Sequence, residues 1–223
     1  MAKEKSEFIK NIKLTMPPSM EYYNNITTDR DRHKFVNRVE RVVRSSLEYR
    51  DYIQFLKEHV GLDSCIFFQN VSNGGTNKKS RISIEMHHEP FTLYDIVNTV
   101  LTKYQEEGLP INDLNIADDV MLLHYENKVG LVPVSKTAHQ IIHNSTKLMV
   151  PLNMCYGNYS QFIEEYEPYI SDDMYEKLEK KIDMTEKLTP ESFDAIRKEF
   201  TYLDVDGVKD VGKMEMQNAI EIA

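Results

Sequence analysis

Apolar residues recur at spacings of three and four from about Asp31 to Val60, through Phe35, Val36, Val39, Val42, Val43, Leu47, Ile53, Phe55 and Leu56. That period predicts one long amphipathic helix, stopped at Gly61, a residue that accepts the left-handed backbone of a helix end. Residues 1–28 break the pattern, because Pro17-Pro18 and the polar run from Tyr22 to Thr28 predict an irregular arm. Beyond Gly61 the period falls to two. Cys65–Val71 reads as a short apolar strand and residues 72–80 as a turn. Residues 81–88 then alternate, with Ile82, Ile84 and Met86 on one side and Ser83, Glu85 and His87 on the other. The two strands predict a hairpin whose far end carries His87-His88.

Helical spacing returns from just after Pro90 to Gly108, and again in a short helix from about Ile116. Val129–Val134 is a compact apolar strand, and Ser135 is placed to cap the next helix, which bears His139 and His143. Residues 148–157 read as loop or strand, Ser160–Ile170 and Asp172–Lys187 as acidic helices, and Thr189-Pro190-Glu191 opens another. Leu203–Asp210 has the outline of a calcium loop without its third acidic ligand, and reads as a surface turn. The organisation that follows is α+β. An arm spans residues 1–28, a long basic helix and a strand-bearing core with an inserted helix span 29–150, and an acidic helical region spans 151–223.

With 223 residues, 41% of them hydrophobic and 10% aromatic, the chain can bury a sizeable core, and wholesale disorder is excluded. No apolar run approaches membrane-spanning length, and the N-terminus lacks the apolar stretch of a signal peptide. The expectation is a soluble protein kept inside a cell, without a membrane partner. Cys65 and Cys155 form no C-x-x-C pair, which excludes a zinc ribbon and predicts two free, buried thiols.

Charge changes the picture of the first helix. The net charge of −9 argues against generic polyanion binding, yet between Arg30 and Arg50 seven basic residues face only three acidic ones. Lys34, Arg38, Arg41 and Arg44 share the three-to-four spacing and so line one outer face. Such a row is either a solvated face or a set of contacts to nucleic-acid phosphates.

Four of the seven histidines fall in two positions: His87-His88 at a strand end, and His139 and His143 on a helix. Residues four apart stack on one helical face, so both imidazoles can approach one metal ion, and the strand end can bring His87 to the same point. Three neutral imidazoles leave coordination positions open, as a catalytic site requires. His88 is then left to serve as a base, since imidazole titrates near neutral pH, while the metal would act as Lewis acid on a phosphodiester. His33, His59 and His124 read as ordinary.

The text EMHHEP (Glu85–Pro90) followed by VGLVPVSKTAHQIIHN (Val129–Asn144) resembles the HNH, or His-Me finger, endonucleases with their ββα-metal core. HHEPFTLYDIV and GLVPVSKTAH are also similar to HNH-like proteins of large bacteriophages, over about residues 30–170. The resemblance implies a ββα-metal core carrying a helical insertion, with His88 as general base and His87, His139 and His143 as metal ligands. It implies one divalent ion (Mg, Mn, Zn or Ni), a DNA substrate gripped through Lys34, Arg38, Arg41 and Arg44, and action in the cytoplasm of an infected bacterium. Two departures stand out. The family's middle Asn position is Gly130 here, so Asn127, three residues earlier, is the candidate for that role; and the zinc-knuckle cysteines of many members are absent.

Two functions follow. One is a metal-dependent phage endonuclease. The other is a non-catalytic phage protein that uses the same scaffold to bind nucleic acid or a protein partner, in replication, in the virion or against host defence. The acidic C-terminal helices are its candidate docking surface.

Overall fold

Helix formation starts where the sequence offers a cap. The computed structural model describes residues 26–67, 83–144 and 148–188. Its first helix, α1 (Asp29–Ser45), begins at Thr28, whose side chain accepts the Asp31 amide at 3.1 Å. Phe35, Val36, Val39 and Val43 bury one face of it. The single helix expected to run to Val60 is broken. Ser46 is extended (φ −66°, ψ 155°), and its hydroxyl accepts the Tyr49 amide at 3.0 Å to cap a second helix, α2 (Leu47–Phe55). A serine hydroxyl competes for backbone partners, and apolar spacing does not register that competition. A wide helical turn, Leu56–Val60, ends on Gly61 at φ 87°, as the sequence predicts.

Two more helices, α3 (Leu93–Glu106) and α4 (Asp113–Tyr125), separate the strands in sequence. Thr92 and Asp95 close a reciprocal capping box on α3. Asn112 accepts the amides of Leu114 and Asn115, so α4 starts at Asp113 rather than at Ile116. Arg32 stitches α1 to α3 by donating to Asn98 Oδ1 and Gln105 Oε1, each at 2.6 Å. Helices α6 (Tyr159–Tyr166) and α7 (Asp172–Lys187) add Phe162, Tyr166, Met174 and Leu178 to the same core. Fully burying one such apolar side chain stabilises the fold by about 1.5–3 kcal/mol.

Among the described residues one regular sheet forms. In it β1 (Ile84–His88) runs antiparallel to β2 (Leu131–Ser135), with His87 opposite Val132 and His88 opposite Leu131. The molecule is therefore α+β, mostly helical with a small two-stranded sheet. The predicted hairpin is corrected: Cys65–Phe67, the described part of its first strand, lies along β2, where the Ile66 amide donates to the Pro133 carbonyl at 3.0 Å. The rest of that strand, the turn at 72–80, the arm to residue 25, the helix opening at Thr189 and the turn at Leu203–Asp210 lie outside the described residues.

Leu131 exchanges both backbone hydrogen bonds with Tyr156 at 2.8 Å, so Leu131 and Pro133 turn their backbone groups to the outer edge of β2. A proline fits there because its missing N–H would point away from β1. Helix α5 (Lys136–Asn144) follows at once, with Ser135 Oγ accepting the Ala138 amide at 3.2 Å. Side chains alternate across the strands. Met86, His88 and Leu131 face the helical core, while Glu85, His87, Val132 and Val134 face α5. No helix among the described residues is long and apolar enough to cross a membrane.

Candidate metal centre

Helix α5 carries His139 and His143 one turn apart, toward the side of β1 that bears His87. Ring centroids are 5.2 Å apart for His87–His139 and for His87–His143, and 4.7 Å apart for His139–His143. One ligand-capable atom from each residue lies within 4.8 Å of the other two. Nε2 of His139 and Nε2 of His143 are 3.0 Å apart, a separation at which two bare lone pairs repel unless a proton or a cation sits between them. His87 is buried, His139 half-buried and His143 exposed, so the cluster opens outward along α5. Partial burial, and then the neighbouring His139, hold the His143 pKa below its ordinary value. That favours the neutral imidazole, the form that binds metal.

Two of the imidazoles have a carboxylate behind them. Glu85 Oε2 accepts from His139 Nδ1 at 2.6 Å, and Glu89 Oε2 lies 3.3 Å from His87 Nε2. An ionised carboxylate only accepts, so His139 carries its proton on Nδ1 and presents the Nε2 lone pair toward His143. Glu89 is 2% exposed and is ion-paired with Lys181 of α7. Glu85, Glu89 and Lys181 are not among the site residues expected from the sequence. Glu85 and Glu89 share the period of two with His87, a signal that could have found them; Lys181 carries no such signal.

His88, the expected base, lies on the other face of β1. Its Nε2 is 3.1 Å from His124 Nε2, its ring stacks on Tyr49 with centroids 6.3 Å apart, and 5% of it is exposed. His124 Nδ1 donates to the Val120 carbonyl at 2.7 Å, so His124 Nε2 is the acceptor of the pair and His88 the donor. Burial pushes the His88 pKa well below its ordinary value, and burial, opposed by the Val120 carbonyl, holds His124 at about 4. Both rings are neutral at pH 7.

Asn127 ends α4. It sits at φ 61°, its amide donates to the His124 carbonyl at 3.0 Å, and its own carbonyl accepts the Asn158 amide at 2.7 Å. Its Oδ1 is buried and takes no hydrogen bond. Gly130 leaves no room for the asparagine that the resembled nucleases carry at this position. A Cβ there would run into the Glu89 carbonyl oxygen, and the Gly130 carbonyl accepts the Glu89 amide at 3.0 Å.

The basic row is largely engaged with its own fold. Arg38 reaches α4, its Nε 2.5 Å and its Nη2 2.9 Å from the Asp113 carboxylate. Arg44 pairs with Glu40 at 3.0 Å, Arg41 donates to the Asn37 carbonyl at 3.3 Å, and Lys34 is exposed. Of the row, Arg44 is the member whose charge reaches His143.

Fold and site together define a mostly helical α+β protein with a three-histidine cluster between its small sheet and the helix that follows. The chain matches the model of the Bacteriophage G278-like virion protein family over residues 1–210, and it belongs to that family. That makes it a bacteriophage protein. No curated protein and no solved structure matches it.

Proposed function

We propose that the chain is a phage virion component in which His87, His139 and His143 hold one divalent metal ion that ties β1 to α5, without a nuclease reaction. The observation that carries this reading is the division of the histidines. Three imidazoles converge from β1 and α5, while His88 is turned into the core against His124. An all-imidazole donor set suits zinc or nickel better than magnesium or manganese, which favour oxygen ligands. Gly130, closed to any side chain, supports the same conclusion. Membership of a virion protein family makes other virion proteins the natural partners, with the C-terminal helices as the surface they meet. DNA has weaker support, because Arg38 and Arg44 already hold carboxylates.

A second reading, DNA cleavage on a ββα-metal core, is favoured by the strand–strand–helix order of β1, β2 and α5 and by the exposure of His143. Bound there, an ion would supply Lewis-acid chemistry at its open positions. Metal analysis and supercoiled-plasmid nicking, run on wild type, His139→Ala and His88→Ala, separate the two. We expect one zinc or nickel per wild-type chain, none in His139→Ala, and no nicking. Nicking by wild type that His88→Ala abolishes would establish the nuclease instead, and a wild type that takes up no metal would remove the site.

A further inference from the structure

We infer that metal occupancy at His87 and the docking of helix α7 are coupled through the side-chain chain His87–Glu89–Lys181. The inference rests on the three-histidine metal reading. Glu89 sits one residue beyond β1, with its backbone fixed by the hydrogen bond to Gly130 and its side chain 2% exposed. A carboxylate so placed needs compensating partners. Its two partners come from different parts of the molecule: His87 at the site, and Lys181 from the last described helix. Lys181 holds the Glu89 carboxylate in place, and Glu89 in turn orients the His87 ring. An imidazole whose other nitrogen binds a metal is a stronger N–H donor, so loading His87 tightens its hold on Glu89 and, through it, on Lys181.

Helix α7 has a second anchor that bypasses the site, the ion pair of Lys177 with Asp95 at 2.9 Å. That anchor gives an internal control. Lys181 is a positioning residue here and Lys177 is a plain tether. Because coupling is reciprocal, the factor by which Lys181 raises metal affinity is the factor by which metal stabilises the docked helix.

The experiment uses the full chain. Cobalt(II) and zinc titrations, followed by the cobalt absorption bands, are run on wild type, Lys181→Met, Lys181→Arg and Lys177→Met, with metal-free melting curves to verify folding. Hydrogen exchange of residues 172–187 is then compared with and without zinc. We expect Lys181→Met to weaken metal binding about tenfold, the scale of outer-shell losses. Lys181→Arg should restore most of it, and Lys177→Met should stay within about twofold. Zinc should slow exchange in α7 of wild type and not of Lys181→Met. If Lys181→Met fails to fold, Glu89→Gln, which keeps the shape and weakens both bonds, takes its place with the same expected loss. Equal affinities for all variants, tighter binding by Lys181→Met, or equal losses for Lys181→Met and Lys177→Met would overturn the coupling while leaving the metal site standing. No uptake by wild type would overturn the metal reading itself.

Discussion

Glu85 and His139 are 54 positions apart in the chain, and Glu85 Oε2 is 2.6 Å from His139 Nδ1. This one contact joins β1 to α5 and fixes which nitrogen of His139 faces the other imidazoles. Glu85→Gln can still accept that proton but carries no charge, and metal affinity should fall about tenfold. Isothermal titration with zinc checks it; unchanged affinity would show that Glu85 does not orient the ligand.

Metal removal should soften the fold. An ion present at a hundred times its dissociation constant adds about 2.7 kcal/mol if it binds only the native state. Chelation of wild type should lower the melting temperature, whereas His143→Ala, which already lacks a ligand, should melt alike with and without chelator.

The pH dependence has a definite sign. The His124 value of about 4 lies below that of an unfolded histidine, so the unfolded chain binds the proton first as pH falls. The contribution is complete above about pH 6.5 and is lost progressively down to about pH 4, amounting to about 3 kcal/mol. His88, also held low by burial, acts in the same direction. Urea unfolding in chelator at pH 7, 6 and 5 should show this decline, and His124→Gln should flatten it.

Gly130→Asn would restore the asparagine of the resembled nuclease family in name only. The new Cβ meets the Glu89 carbonyl, and overpacking of this kind costs about 1–3 kcal/mol. We expect reduced stability, weaker metal binding and no gained nicking; a stable variant with tighter metal binding would show that the backbone yields freely at this point.

Arg38 and Lys34 should part company. Asp113 is 3% exposed at its side chain, so Arg38→Ala leaves a buried carboxylate without its main partner, at a cost of about 3 kcal/mol. Lys34→Ala should change stability by less than about 0.5 kcal/mol. Denaturant midpoints at constant m-value decide it. Equal, negligible effects would return Arg38 to the exposed row read from the sequence.

Much of the helical frame was legible because its determinants are local. The caps at Ser135, the stop at Gly61 and the period of three to four each act within a few residues. The convergence of His87, His139 and His143 followed from two such rules, the helical turn and the strand end. The break at Ser46 is local too, but it turns on which backbone group a hydroxyl chooses, and apolar spacing does not record that choice. The rest of what escaped the sequence depends on tertiary contact. The burial of His88 depends on His124 arriving from α4, and the engagement of Arg38 on Asp113 from the same helix. Lys181 reaches Glu89 from 92 positions away, and no pattern near either residue announces it.

The sheet that carries the site is joined through α3 and α4, so the pairing of its two strands is non-local in the chain. Non-local closure comes late because the chain entropy it costs is recovered only when distant contacts form. The order expected on that ground runs from the helices inward to the histidines. An ion bound there as proposed would meet a nearly complete molecule, and its effect would fall on how slowly the protein comes apart, not on how fast it forms. If the chain is the virion component proposed above, lifetime is the quantity such an ion would set.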